Sequence, residues 1–203
     1  MKRFSFILCV AGLLLGIESS AQWTLRQAEV SILNGTTTTR FAGNSNQDGV
    51  STLAGRAHGR FSSGDTFRLV NGLVRSTVSS ANFCNATVFY RVYSSCATAP
   101  SYSSLSLTNN INPTGSPESF NLATNTSINL LNGLTEPGTY IIEFYFSANG
   151  HASSTSLCSQ QQTDGTSTAP HRGFFEFENI DSFTDGNFSA SPAWSGETRD
   201  VSP

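Results

Sequence analysis

Short segments of alternating apolar and polar residues, none of them sustaining a helical period, constrain this chain most. Thr139 to Phe146 (TYIIEFYF) is the clearest, and Ala86 to Tyr93 (ATVFYRVY) is nearly as rich in β-branched and aromatic residues. Such residues fit a pleated, half-buried surface, and period-two alternation puts one face of each segment in a core. Thr24 to Leu33, Thr66 to Val74, Tyr102 to Leu107, Ile128 to Leu131 and Arg172 to Phe177 complete a set of seven expected strands. Between them lie turn-forming clusters such as Asn34-Gly35, Pro113 to Pro117 and Glu136-Pro137-Gly138. Their glycines supply positive φ and their prolines a preset φ. Seven short strands with this punctuation predict an all-β fold, an antiparallel two-sheet sandwich with an extended C-terminal tail.

The first residues follow a different logic. Lys2 and Arg3 precede an apolar run from Phe4 to Ile17, and Ser19, Ser20 and Ala21 follow it. This is the order of a cleavable secretory signal peptide over residues 1–21. The run is shorter than the roughly 20 apolar residues that cross a bilayer, so no membrane span is expected. The remainder divides into a sandwich domain at 22–177 and a linker or tail at 178–203. The expected location is secreted, extracellular or at the cell surface.

Composition then removes whole classes of function. Lys2 is the only lysine, which excludes Schiff-base chemistry and phosphate-loop lysines beyond the leader. Acids outnumber bases, 14 to 11, which argues against nucleic acid as a partner. Of the four cysteines, Cys9 falls in the leader, leaving Cys84, Cys96 and Cys158. An oxidising compartment predicts one disulfide and one leftover thiol. Cys84 and Cys96 flank the strand at 86–93, whereas a bridge to Cys158 would close a much longer loop. All three pairings stay open.

No residue set assembles into a catalytic constellation, and the chain is expected not to be an enzyme. His58, His151 and His171 are scattered without ligand spacing, and no G-x-S-x-G elbow occurs. Asn44-Ser-Asn46-Gln-Asp48-Gly49 has the alternating oxygens that open a calcium loop, but its twelfth position is Gly55 where a bidentate glutamate is needed. No metal and no cofactor is therefore expected. Glu143 is the most interesting single acid, and alternation places it on the outer face of its strand. Arg56, Arg60, Arg68, Arg75 and Arg91 share a stretch whose only acid is Asp65. They either form a basic face for acidic glycans or pair with carboxylates elsewhere on the sheets, the second being favoured by the acidic balance. Trp23 and Tyr102 are candidate platforms for sugar rings, and with Arg56 and Arg60 they form the candidate ligand contacts. The sequons at Asn34, Asn85, Asn125 and Asn187 fit an Asn-, Ser- and Thr-rich composition.

Two stretches carry a resemblance. Leu131-Asn-Gly-Leu134 followed by Pro137-Gly-Thr-Tyr140 looks like the tyrosine corner of immunoglobulin and fibronectin III sandwiches. There, a tyrosine hydroxyl bonds to backbone a few residues upstream. Together with VFYRVY at 88–93, PGTYIIEFYF at 137–146 and the aromatic strand near 174, it resembles a recurrent N-terminal β-sandwich module of Bacteroidetes-type secreted multidomain proteins. The segment from Asp181 to Trp194 is similar to the opening of a concanavalin A-like (laminin G-like) domain. The resemblance implies that the chain is the front fragment of a longer surface or secreted protein. It carries over no catalytic residue. The expected role is a non-catalytic spacer or adhesion/glycan-binding module, its partner a surface glycan or other extracellular polymer. The alternative is an accessory domain of a secreted hydrolase whose catalytic domain lies beyond residue 203. The sequence leaves the oligomeric state undetermined.

Overall fold

The computed structural model describes residues 25–43, 50–76, 82–111, 121–151, 158 and 160–178. The expected signal peptide, Trp23, the oxygen-rich loop at 44–49, the turn at 113–117 and the tail from 179 onward lie outside these residues. In chain order the strands are β1 (Leu25–Asn34), β2 (Thr37–Ala42), β3 (Ser51–Thr52), β4 (Arg56–Ser62), β5 (Phe67–Ser76) and β6 (Asn82–Ser94). They continue with β7 (Ser103–Leu107), β8 (Asn109–Ile111), β9 (Asn121–Asn129), β10 (Gly138–His151), β11 (Gln160–Asp164) and β12 (His171–Glu178). Among the described residues there is no helix, and hence none long and apolar enough to cross a membrane.

Two sheets pack face to face. The first has the order β3-β2-β1-β5-β9-β8 and the second β4-β12-β10-β6-β7, with β11 pairing to β10. Each of the seven expected segments contains or overlaps a strand. The short one at 128–131 is displaced: the strand is Asn121–Asn129, and Leu130 and Leu131 lie in the following turn with their side chains buried. Strands β2, β3, β4, β8 and β11 were not expected. Two pairings, β12 with β4 and β2 with β3, are parallel, so both sheets are mixed rather than wholly antiparallel. Residues 53–55 carry the chain from β3 in one sheet to β4 in the other, which lets β4 run alongside β12.

The β1–β2 hairpin shows the local logic. Asn34 pairs with Thr37, leaving a two-residue turn whose Gly35 sits at φ 59°, a conformation costly for residues with a Cβ. Alternation then decides what is buried. Tyr140, Ile142, Phe144, Phe146 and Ala148 of β10 face inward, as do Phe175 and Phe177 of β12. Ala28, Val30 and Ile32 of β1 meet them from the first sheet. Phe67 of β5 packs across the interior against Phe61 at 4.4 Å and Phe175 at 5.2 Å, joining the sheets through aromatic rings. Deleting a ring buried this completely costs about 3–5 kcal/mol. The Tyr140 hydroxyl donates to the Glu136 carbonyl at 2.8 Å, the upstream backbone bond that the turn sequence predicts.

His58 inserts its imidazole among these rings, 5.0 Å from Phe41 and 5.4 Å from Phe67. Its Nε2 has no hydrogen-bond partner, and it lies over Gly173, where a Cβ would come within 2.8 Å of that nitrogen. Burial, assisted by the nearby Arg56 charge, lowers the His58 pKa to about 4. In the unfolded chain the ordinary value is about 6.5. Between these values the unfolded chain holds the extra proton, so stability is complete above pH 6.5 and declines as pH falls towards 4. The expected loss is at most about 3 kcal/mol. Urea denaturation across this range measures it, and an equally steep decline in His58→Leu would refute the assignment.

Candidate functional site

The second sheet turns a distinct set of side chains outward. On β10 these are Ile141, Glu143, Tyr145, Ser147 and Asn149, the residues that alternate with its buried positions. Register decides their neighbours. Glu143 stands opposite Arg91 of β6 on one side and Arg172 of β12 on the other. Tyr145 stands opposite Phe89.

Glu143 lies on the outer face, as alternation predicts, yet its side chain is 0% exposed. Four neighbours cover it. Arg91 Nε donates to Oε2 at 2.6 Å and Arg172 Nε to Oε1 at 2.7 Å, and both guanidinium groups make a second contact to the same oxygens. The Tyr93 hydroxyl donates to Oε1 at 2.9 Å and the Tyr102 hydroxyl to Oε2 at 2.8 Å. Burial pushes the Glu143 carboxyl up, but the hydrogen bonds from Tyr102, Tyr93, Arg91 and Arg172 together outweigh it and hold the pKa below the ordinary carboxylate range. Burial, reinforced by the bond to Glu143, raises the pKa of the Tyr102 hydroxyl. Arg91 is further fixed by its bond to the Pro100 carbonyl at 2.9 Å and by its place over the Tyr102 ring at 4.0 Å.

Beside this clamp the Phe89 and Tyr145 rings stack at 4.5 Å with an interplanar angle of 3°. Tyr102 meets Tyr145 edge-on at 4.9 Å. All three rings are half-buried, so part of each reaches solvent. Every member of the cluster is in contact with another.

The three described candidate ligand contacts do not converge. Tyr102 leads into β7, while Arg56 and Arg60 belong to β4 at the opposite edge of the sheet. Arg60 binds Glu176 and Glu178, both at 2.9 Å. Arg56 lies over the Phe41 ring, 5.8 Å from its centroid. Nor do the five arginines form one basic face: Arg91 pairs with Glu143, whereas Arg68 and Arg75 lie on the first sheet and donate to Ser127 and Gln27. Cys84 and Cys158 form the disulfide, with Cα atoms 5.9 Å apart, and Cys96 is the free, exposed thiol. Among the described residues no group of three or more histidines, cysteines or carboxylates is placed to hold a metal ion.

Sequence reasoning missed Phe89, Tyr145 and Arg172 as members of a site. Period-two alternation puts Phe89, Arg91 and Tyr93 on one face of β6 and Glu143 with Tyr145 on one face of β10. That these faces are the same one follows from register alone.

No protein-family model, curated protein or solved structure matches the chain. Its function has to be argued from the chemistry of this face.

Proposed function

We propose that the chain is a secreted, non-catalytic β-sandwich module, a spacer or adhesion/glycan-binding domain of a cell-surface or extracellular protein, whose contact surface is the outer face of the second sheet. The observation that carries this reading is the stacked Phe89–Tyr145 pair, half-open to solvent beside an immobilised Glu143. Aromatic groups kept partly exposed on a flat sheet suit recognition of another molecule. Glu143 supports the non-catalytic half. Both of its oxygens are occupied by four donors, leaving it neither a proton to give nor a free position to accept one. The Cys84–Cys158 bond is consistent with an oxidising setting outside the cytoplasm.

Glycan arrays and whole-cell adhesion assays with the exported chain test the binding half. Retention on at least one glycan class is expected. Absence of retention in both assays would reduce the reading to a spacer.

A further inference from the structure

Charge and side-chain type across this face narrow the class of partner. The inference rests on the adhesion reading above. Among the described residues of the outer face, three arginines (Arg60, Arg91, Arg172) meet three glutamates (Glu143, Glu176, Glu178), and each is engaged in an ion pair. The face thus offers no net charge to attract an ionic polymer. The charged rows also occupy only one end of the sheet.

Past the Phe89–Tyr145 row, the two rows that follow among the described residues carry no charged side chain. The next row across β7, β6, β10 and β11 is Ser106, Thr87, Ser147 and Thr163, side by side in register. The row after it is Asn85, Asn149 and Gln161. These groups are ordered by one another: Asn149 Nδ2 donates to Asn85 Oδ1 at 2.9 Å, and Gln161 Nε2 donates to Ser147 Oγ at 2.8 Å. Each amide nitrogen carries two N–H groups, of which one is engaged among the described residues. The aromatic row and the Asn85–Asn149 row are four positions apart along each strand, a span of about 13 Å. Phe89 stacks on Tyr145 with one ring face, and its cross-strand neighbour on the other side is the small Ser104 of edge strand β7.

We propose that this strip, from Phe89 to Asn85 and Asn149, binds a neutral polysaccharide segment a few sugar units long. A sugar ring packs its C–H face on Phe89, and neighbouring hydroxyls take the amide and hydroxyl groups of the following rows. Sugar hydroxyls are uncharged donors and acceptors, the complement of Asn, Gln, Ser and Thr. Because the amides are held before binding, less side-chain entropy is lost on contact.

Native affinity electrophoresis of the whole chain tests this with soluble mixed-linkage glucan, xylan and galactomannan as neutral polymers, and polygalacturonate and chondroitin sulfate as acidic ones. Retardation by at least one neutral polymer, equal at low and high salt, is expected. Phe89→Ala and the double variant Asn85→Ala/Asn149→Ala should each weaken it about tenfold. Arg68→Ala, on the other sheet, should not change it. The exposed amides make the double variant informative even if Phe89→Ala folds poorly. Retardation by acidic polymers only, or neutral binding unchanged in the double variant, overturns the assignment while the adhesion reading stands. Failure with every polymer here, on the glycan array and in the whole-cell adhesion assay removes both the assignment and the adhesion reading, leaving the spacer.

Discussion

Glu143→Ala is expected to lower the unfolding free energy by about 3–5 kcal/mol, the usual consequence of removing one partner from a buried ion pair. The carboxylate is the common acceptor of two guanidinium groups and two phenols, and its removal leaves all four without their acceptor. Arg172, 48% exposed, can turn to water, whereas Arg91, 16% exposed and held against Tyr102, cannot do so without disturbing the face. Arg172→Ala should therefore cost far less, within the ~1 kcal/mol typical of solvated pairs. Chemical denaturation of the two variants beside the parent measures the contrast. A Glu143→Ala cost under about 1 kcal/mol would show that the clamp is not a stabilising unit. Acid offers a second test. Since the folded pKa of Glu143 lies below its unfolded value, its contribution is complete above the ordinary carboxylate pKa of about 4.3 and is lost as pH falls through the lowered value. Most of that decline lies below the His58 window, so the two are separable.

Breaking the Cys84–Cys158 bond, by reduction or by the double change to serine, is expected to cost about 4 kcal/mol. The estimate is the chain entropy released when a loop closed over a separation of 74 residues opens in the unfolded state. The bond ties the start of β6 to the segment between β10 and β11, at the amide-rich end of the outer face. Cys96→Ser should leave stability nearly unchanged, because that thiol is exposed, outside the disulfide, and in contact only with the neighbouring Ser95 hydroxyl, which a serine can also bond. Peptide mapping without reduction should recover Cys84 linked to Cys158. A Cys84–Cys96 fragment, or three free thiols, would refute the pairing.

Much of the fold was legible because alternation is a local property. The inward rows of β10 and β12 follow from counting every second residue through TYIIEFYF and RGFFEF, and the Tyr140 bond to Glu136 spans only four residues. β4 and β11 were not legible. RAHGRFS carries two arginines and an interior glycine, and QQQTD has no apolar residue. They are strands because β12 and β10 offer them backbone partners, a non-local cause. Glu143 was assigned to the correct face with the wrong surroundings, since its burial comes from side chains 52 and 29 residues away in the chain.

By itself the sequence determined the all-β class, most strand positions and the inward face of each, because period-two burial is written in consecutive residues. It also offered Cys84, Cys96 and Cys158 as disulfide candidates without choosing a pair. Tertiary structure alone decided the Cys84–Cys158 bond, the mixed order of the sheets and the meeting of Arg91, Glu143 and Arg172. The reason is register: a slip of one residue between β6 and β10 would put their side chains on opposite faces. Register is set by how two whole sheets fit around one core, and no single segment encodes it.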